Sequence, residues 1–136
     1  VRLLAVLHVG FAWVSVALAF YAVQSLALLA GIGMLGFAPL HALTIGLFGS
    51  MVLGMASRVT LGHSGAELEA DSATWTLFWG FQLAALARIG GDLPLAGAAA
   101  GHFYLLAAAV WLACFVPWFV KYAPKYWRPR SDGQPG

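Results

Sequence analysis

The stretch LLAVLHVGFAWVSVALAFYAVQSLALL, Leu3 to Leu29, contains no Asp, Glu, Lys or Arg. A helix of about 20 residues crosses the hydrocarbon core of a bilayer, so this segment is long enough to span it with length to spare. A soluble protein would have to cover such a helix on every side, and the rest of the chain is itself poor in charge. Of 136 residues, 62% are hydrophobic and 9% charged, where soluble domains carry roughly 25% charged residues. Mean hydropathy is +0.85. A water-soluble fold of this size leaves a large share of its surface exposed, so lipid is the solvent that suits this composition. The expected class is all-α, a polytopic membrane protein whose first partner is the lipid bilayer.

Outward from that stretch, Gly31, Gly33 and Gly36 break the apolar pattern. A second span is expected from Pro39, which a first helical turn tolerates, to Arg58. A polar loop follows, Thr60 to Asp71. The third span starts at Ser72, capped by Asp71 or Ser72, and runs to Ile89, where Gly90 and Gly91 are expected to stop it. The fourth runs from Leu95 to Tyr122, with Pro117 expected to kink or loosen its last turns. The whole reads as a bundle of four transmembrane helices over residues 1–122 (spans 3–29, 39–58, 72–89 and 95–122), then a cytoplasmic basic tail, 123–136. The chain enters its first span by Leu3, with neither an initiating Met nor a basic leader and cleavage site. That reads as the C-terminal part of a larger multi-spanning protein, whose missing N-terminal helices are an expected partner.

Seven Lys+Arg against five Asp+Glu leave a net charge of +2. That balance is too small to suggest nucleic acid, and its distribution is more informative. Alternating spans put Arg2, Arg58, Lys121, Lys125, Arg128 and Arg130 on one side and only Arg88 on the other. Cytoplasmic segments carry the Lys/Arg excess, so both ends of the chain are assigned to the cytoplasm. Tyr122, Tyr126 and Trp127 fit an interfacial aromatic belt on that side.

Two small-residue seams suggest helix packing. Ala42, Gly46, Ser50 and Gly54 recur at spacing four, with Arg58 one step further, although such a stripe drifts around a helix of 3.6 residues per turn. Ala5, His8, Ala12, Ser15, Ala19 and Ala22 form the other seam, which would turn His8 into the bundle. Small residues let helices approach closely in lipid. Gln82 and Ser15 are expected to hydrogen-bond between helices. Cys114, the only cysteine, reads as a small core residue.

Chemistry is expected from His8, His41, His63, His102 and Arg58. Ionisable residues inside spans are costly and usually face a bundle interior, and neutral imidazole is a common metal and haem ligand. By depth they form two layers, His8 with His63 in the cytoplasmic half and His41 with His102 in the other. No helical ligand pair such as HxxxH occurs, so spacing alone leaves metal binding, backbone hydrogen bonding and solvation all open. Arg58 either marks the end of its span or holds a carboxylate. Glu67, Glu69 and Asp71 read as a solvated face. GIGMLG, Gly31 to Gly36, has dinucleotide-loop glycine spacing but no strand before it; it reads as a turn.

HALTIGLFGSMVLGMASRVTLGHSG, His41 to Gly65, resembles the core signature of the NnrS family of membrane proteins. LHVGFAW, Leu7 to Trp13, is similar to the family's preceding helix, and RPRSDGQPG, Arg128 to Gly136, to its C-terminal end. The resemblance implies a protein with about three times as many helices, in the bacterial cytoplasmic (inner) membrane, associated with the nitric oxide response and denitrification. It also implies haem and copper, with nitric oxide as a ligand. The matching positions are His8, His41, Arg58 and His63; His102 joins the metal candidates on its chemistry alone. Ala66 and Glu67 stand where the family often has a basic residue, so the loop by itself is not read as an anion site.

The leading expectation is thus a haem- or copper-binding membrane protein contributing to nitric oxide tolerance. A transporter or channel for haem, metal or a small solute is the first alternative. A structural membrane module without metal is the second. No nucleophile elbow, phosphate loop or other catalytic motif argues for an enzyme.

Overall fold

The computed structural model describes residues 2–133; Val1 and Gln134, Pro135 and Gly136, the end of the expected tail, lie outside the described residues. Four long helices account for most of the chain: α1, Arg2–Leu29; α2, Ala38–His63; α3, Ser72–Asp92; and α4, Ala100–Tyr122. There is no strand among the described residues. The all-α bundle expected from composition is what forms. Helices α1 and α2, and the segment Pro94–Tyr126 that contains α4, are long and apolar enough to cross a membrane. Helix α3 carries Gln82, Arg88 and Asp92 and is not among them. It compensates by enclosure: Phe78, Phe81, Gln82, Ala84, Ala85 and Ile89 are all buried against its neighbours.

Helices α1 and α2 lie antiparallel. A side-chain atom on Gly54 would meet Val6, one on Gly10 would meet Ser50, and one on Gly46 would strike the Trp13 ring. The Ala42, Gly46, Ser50, Gly54 seam is therefore buried as expected. Its drift is offset because Ala42–Gly49 is a π-helical segment, whose wider i→i+5 turn advances less angle per residue. Once α geometry resumes at Ser50, Ser57 takes the buried position and Arg58 turns outward.

The seam expected on α1 is displaced. The buried residues are Leu3, Val6, Gly10, Trp13 and Ala17, whereas His8, Ala12, Ser15, Ala19 and Ala22 are exposed. Both sets repeat at three and four. The fit between Gly10, Trp13 and the glycines of α2 selects one, which small size alone does not.

Polar side chains tie the helices together. Trp13 Nε1 donates to Gln82 Oε1 at 2.7 Å, and Gln82 Nε2 donates to Ser50 Oγ at 2.8 Å. Trp118 Nε1 donates to Ser57 Oγ at 2.8 Å. Gln82 thus bridges α1, α2 and α3 as expected, while Ser15 does not take part. Cys114 is buried and packs where Gly80 leaves room for its Sγ.

Two helix ends differ from expectation. Helix α2 continues past Arg58 to His63, which shortens the loop. Helix α3 runs through Gly90 and Gly91 to Asp92. The stop comes from Pro94, which drives the preceding Leu93 into an extended conformation (φ −71°, ψ 141°). Pro117 lies inside α4, and the change to a 3-10 turn comes later, at Ala123–Tyr126. Tyr122 is also not part of an exposed belt: it is buried, with its hydroxyl 2.9 Å from Thr74 Oγ1. Tyr126 and Trp127 are exposed.

Asp71 is more than a solvated carboxylate. It caps α3, accepting from Thr74 N at 2.9 Å, and Lys121 Nζ donates to both its oxygens at 2.5 Å. The Lys121 ammonium first, and then the Thr74 amide, hold its pKa down from 3.8 to about 2. A carboxylate with a depressed folded-state pKa contributes stability above its unfolded value, lost as pH falls through the folded one. Asp71→Ala should cost about 1 kcal/mol, the usual worth of an N-cap. Asp71→Asn, which keeps a cap but no charge, should flatten the decline in thermal midpoint between pH 3.8 and about 2. An unaltered acid limb in that variant would show that this ion pair contributes nothing.

Candidate functional site

The five residues expected to carry chemistry are spread over both ends of the bundle. Val6 opposite Gly54 and Gly10 opposite Ser50 put His8 level with Val52. His63 then lies three turns further along α2, roughly 16 Å at about 1.5 Å per residue. His8 and His63 therefore do not share a layer. His8 is exposed, and its Nδ1 bonds its own helix at Leu4 O, 2.9 Å away. His63 is the exposed last residue of α2. His102 lies at the same end as His41, on the exposed side of α4. Arg58 is exposed and, at roughly 1.5 Å per residue, stands about 25 Å along α2 from His41. Those two cannot serve one haem. Among the described residues no group of three or more His, Cys, Asp or Glu side chains is placed to hold a metal ion.

One histidine is built into a network. His41 follows Pro39 in the first turn of α2, and its Nδ1 lies 2.5 Å from Asp92 Oδ2 at the end of α3. Arg88 donates to Asp92 Oδ1 at 2.6 Å from one turn back on the same helix, the i,i+4 spacing that puts two side chains on one face. Tyr104 of α4 lies with its hydroxyl 3.1 Å from the same oxygen and 3.0 Å from Gly91 O. The Arg88 guanidinium also stacks over the Tyr104 ring, 4.1 Å from its centroid. The Asp92 side chain is 2% exposed, against 19% for His41 and 25% for Arg88. A carboxylate removed from water to that degree needs such partners.

Backbone economy makes the approach possible. Gly91 leaves room for the Tyr104 ring, and Gly36, at φ +57°, lets the α1–α2 loop pass against the Asp92 carbonyl. The Phe37 and His41 rings meet in a T-shaped arrangement, centroid to centroid 6.3 Å. Beside the network, Arg88, Tyr104, Ile45 and Trp111 border an open groove of about 370 Å³.

The chemistry of this arrangement is specific. A carboxylate oxygen accepts, so Nδ1 is the donor in this contact. The Nε2 lone pair is then the one available to a metal. Nε2 makes no hydrogen bond among the described residues. A carboxylate behind the other ring nitrogen fixes ring orientation and tautomer, as is usual for histidines that ligate metals. Asp92 and Tyr104 were not expected from the sequence. The legible signal was there: Arg88 and Asp92 are four apart, and between the expected third and fourth spans Asp92 is the sole carboxylate.

No curated protein and no solved structure matches this chain. A family model does, that of the NnrS protein, over residues 1–130. That match takes in every helix described above, from the exposed His8 through the His41–Asp92 network to the basic tail, and the chain belongs to the NnrS family.

Proposed function

We propose that this protein is a haem-binding integral membrane protein of the bacterial inner membrane, acting in nitric oxide tolerance, with His41 as the residue that would hold the haem iron. The observation that carries this reading is the 2.5 Å contact between His41 Nδ1 and the buried Asp92 carboxylate. Haem iron draws four nitrogens from its porphyrin and needs only one or two from protein, so a single oriented imidazole fits it. When bound, such an iron supplies a coordination position for nitric oxide. The chain's own residues do the rest: Asp92 holds the His41 tautomer, Arg88 and Tyr104 hold Asp92, and Phe37 packs beside the imidazole. Copper fits less well, because the protein must furnish several ligands for it and the described residues gather no such set. Copper ligands would come from upstream helices of the same protein. The exposed small-residue face of α1, with His8 on it, is where those helices would pack, and small residues favour that. With Arg2, Lys121, Lys125, Arg128 and Arg130 gathered at the end away from His41, both termini of this chain would lie in the cytoplasm.

The test is the optical spectrum of the intact protein purified from its membrane. His41→Ala should abolish or shift the Soret band, with haem content falling in step, while His63→Ala and His102→Ala leave both unchanged. A full complement of haem with an unaltered spectrum in His41→Ala would remove this histidine as ligand.

A further inference from the structure

The basic tail folds back onto the end of α2. Tyr126 Oη and Thr60 Oγ1 are 2.8 Å apart. Ser131 donates to Ser64 O through both its amide and its hydroxyl, at 2.9 and 3.0 Å. These contacts border a half-open cavity of about 350 Å³ between helix end and tail. His63 and Ser64 line it from one side, and Lys125, Tyr126, Arg128 and Arg130 from the other.

Charge in this cavity is not balanced. Arg130 is paired with Asp132, and at the same end of the bundle Asp71 is taken by Lys121. Lys125 and Arg128 form no ion pair among the described residues. Unpaired cations around a concavity focus a positive potential into it. Ammonium, guanidinium and hydroxyl donors converging on one space are the set that a phosphate oxyanion takes up. The cavity also adjoins the ends of two apolar helices, where basic pockets meet lipid head groups.

We propose that this pocket binds a phosphate group, carried by an anionic lipid head group or as free phosphate. It is independent of the haem reading, since it lies at the other end of α2 from His41. The tail brings the cations here; the loop after His63 contributes none.

The intact protein would be placed in nanodiscs of phosphatidylcholine with or without phosphatidylglycerol, and retained lipid counted by native mass spectrometry. A parallel titration would use inorganic phosphate. The comparison is Lys125→Gln/Arg128→Gln against wild type, with Arg2→Gln as a cation at the same end outside the pocket. Near a membrane each cation is worth roughly a fivefold change in affinity, so the double variant should lose phosphatidylglycerol by about tenfold or more while Arg2→Gln keeps it. If inorganic phosphate binds and the lipid does not, with the same loss in the double variant, the phosphate site stands and its source is soluble. Wild-type retention of both probes by the double variant, or equal loss in Arg2→Gln, would overturn the proposal. Should the double variant lose helicity, the exposed Arg128→Gln alone carries the comparison.

Discussion

Asp92→Asn is expected to lower stability by about 3 kcal/mol and to weaken haem or metal binding 10–100-fold, the usual cost of losing the carboxylate behind a ligating histidine. Two causes act together. The Arg88 guanidinium loses its counter-charge at the end of an apolar bundle, and the one remaining amide oxygen cannot serve both Arg88 and His41, so the imidazole faces an NH2 group once the oxygen stays with Arg88. The stability estimate sits at the low end of the range for broken buried pairs because Arg88 and His41 keep 25% and 19% of their side-chain exposure. Thermal unfolding in detergent gives the first quantity and haem titration of the apoprotein the second. Their separation is informative: a destabilised variant that still binds haem with wild-type affinity would leave Asp92 a helix-end fastener with no part in orienting His41.

Gly46→Ala should be a strongly damaging methyl addition in the bundle. The new Cβ would lie 2.4 Å from Trp13 Cδ2 and 2.6 Å from Cε3, far inside contact distance. The ring has little freedom to yield, because its Nε1 is committed to Gln82, and Gln82 in turn to Ser50. Overpacking costs about 1–3 kcal/mol, and stranding a buried donor adds about 1–3 kcal/mol. Replacing glycine by alanine in a helix gains back only about 1 kcal/mol. The net expectation is a loss of about 3 kcal/mol, read as a lower thermal midpoint. Adding Trp13→Leu to Gly46→Ala should recover part of it by opening the space. A Gly46→Ala protein as stable as wild type would mean that the α1–α2 crossing is looser than the Trp13–Gly46 contact implies.

Composition and spacing alone determined that this chain is a bundle of apolar helices, roughly where those helices lie, and that Ala42, Gly46, Ser50 and Gly54 face a neighbour. These are local properties: a long run without charge has one solvent that suits it, and a row of small side chains has one obvious use. The family was legible too, in the His41–Gly65 stretch and its flanks, and the match over residues 1–130 agrees with it.

Tertiary structure decided what depends on two helices at once. On α1 the Ala5–His8–Ala12 and Val6–Gly10–Trp13 sets have the same period, and only the shape of α2 chose the second, leaving His8 outside. The end of α3 looked like a glycine stop, but Gly91 admits Tyr104, and the helix carries on until Pro94 ends it. That extra turn puts Asp92 against His41, 51 positions away in the chain. No periodicity within one segment encodes such a meeting, because it is fixed by the rotation and depth at which separate helices pack.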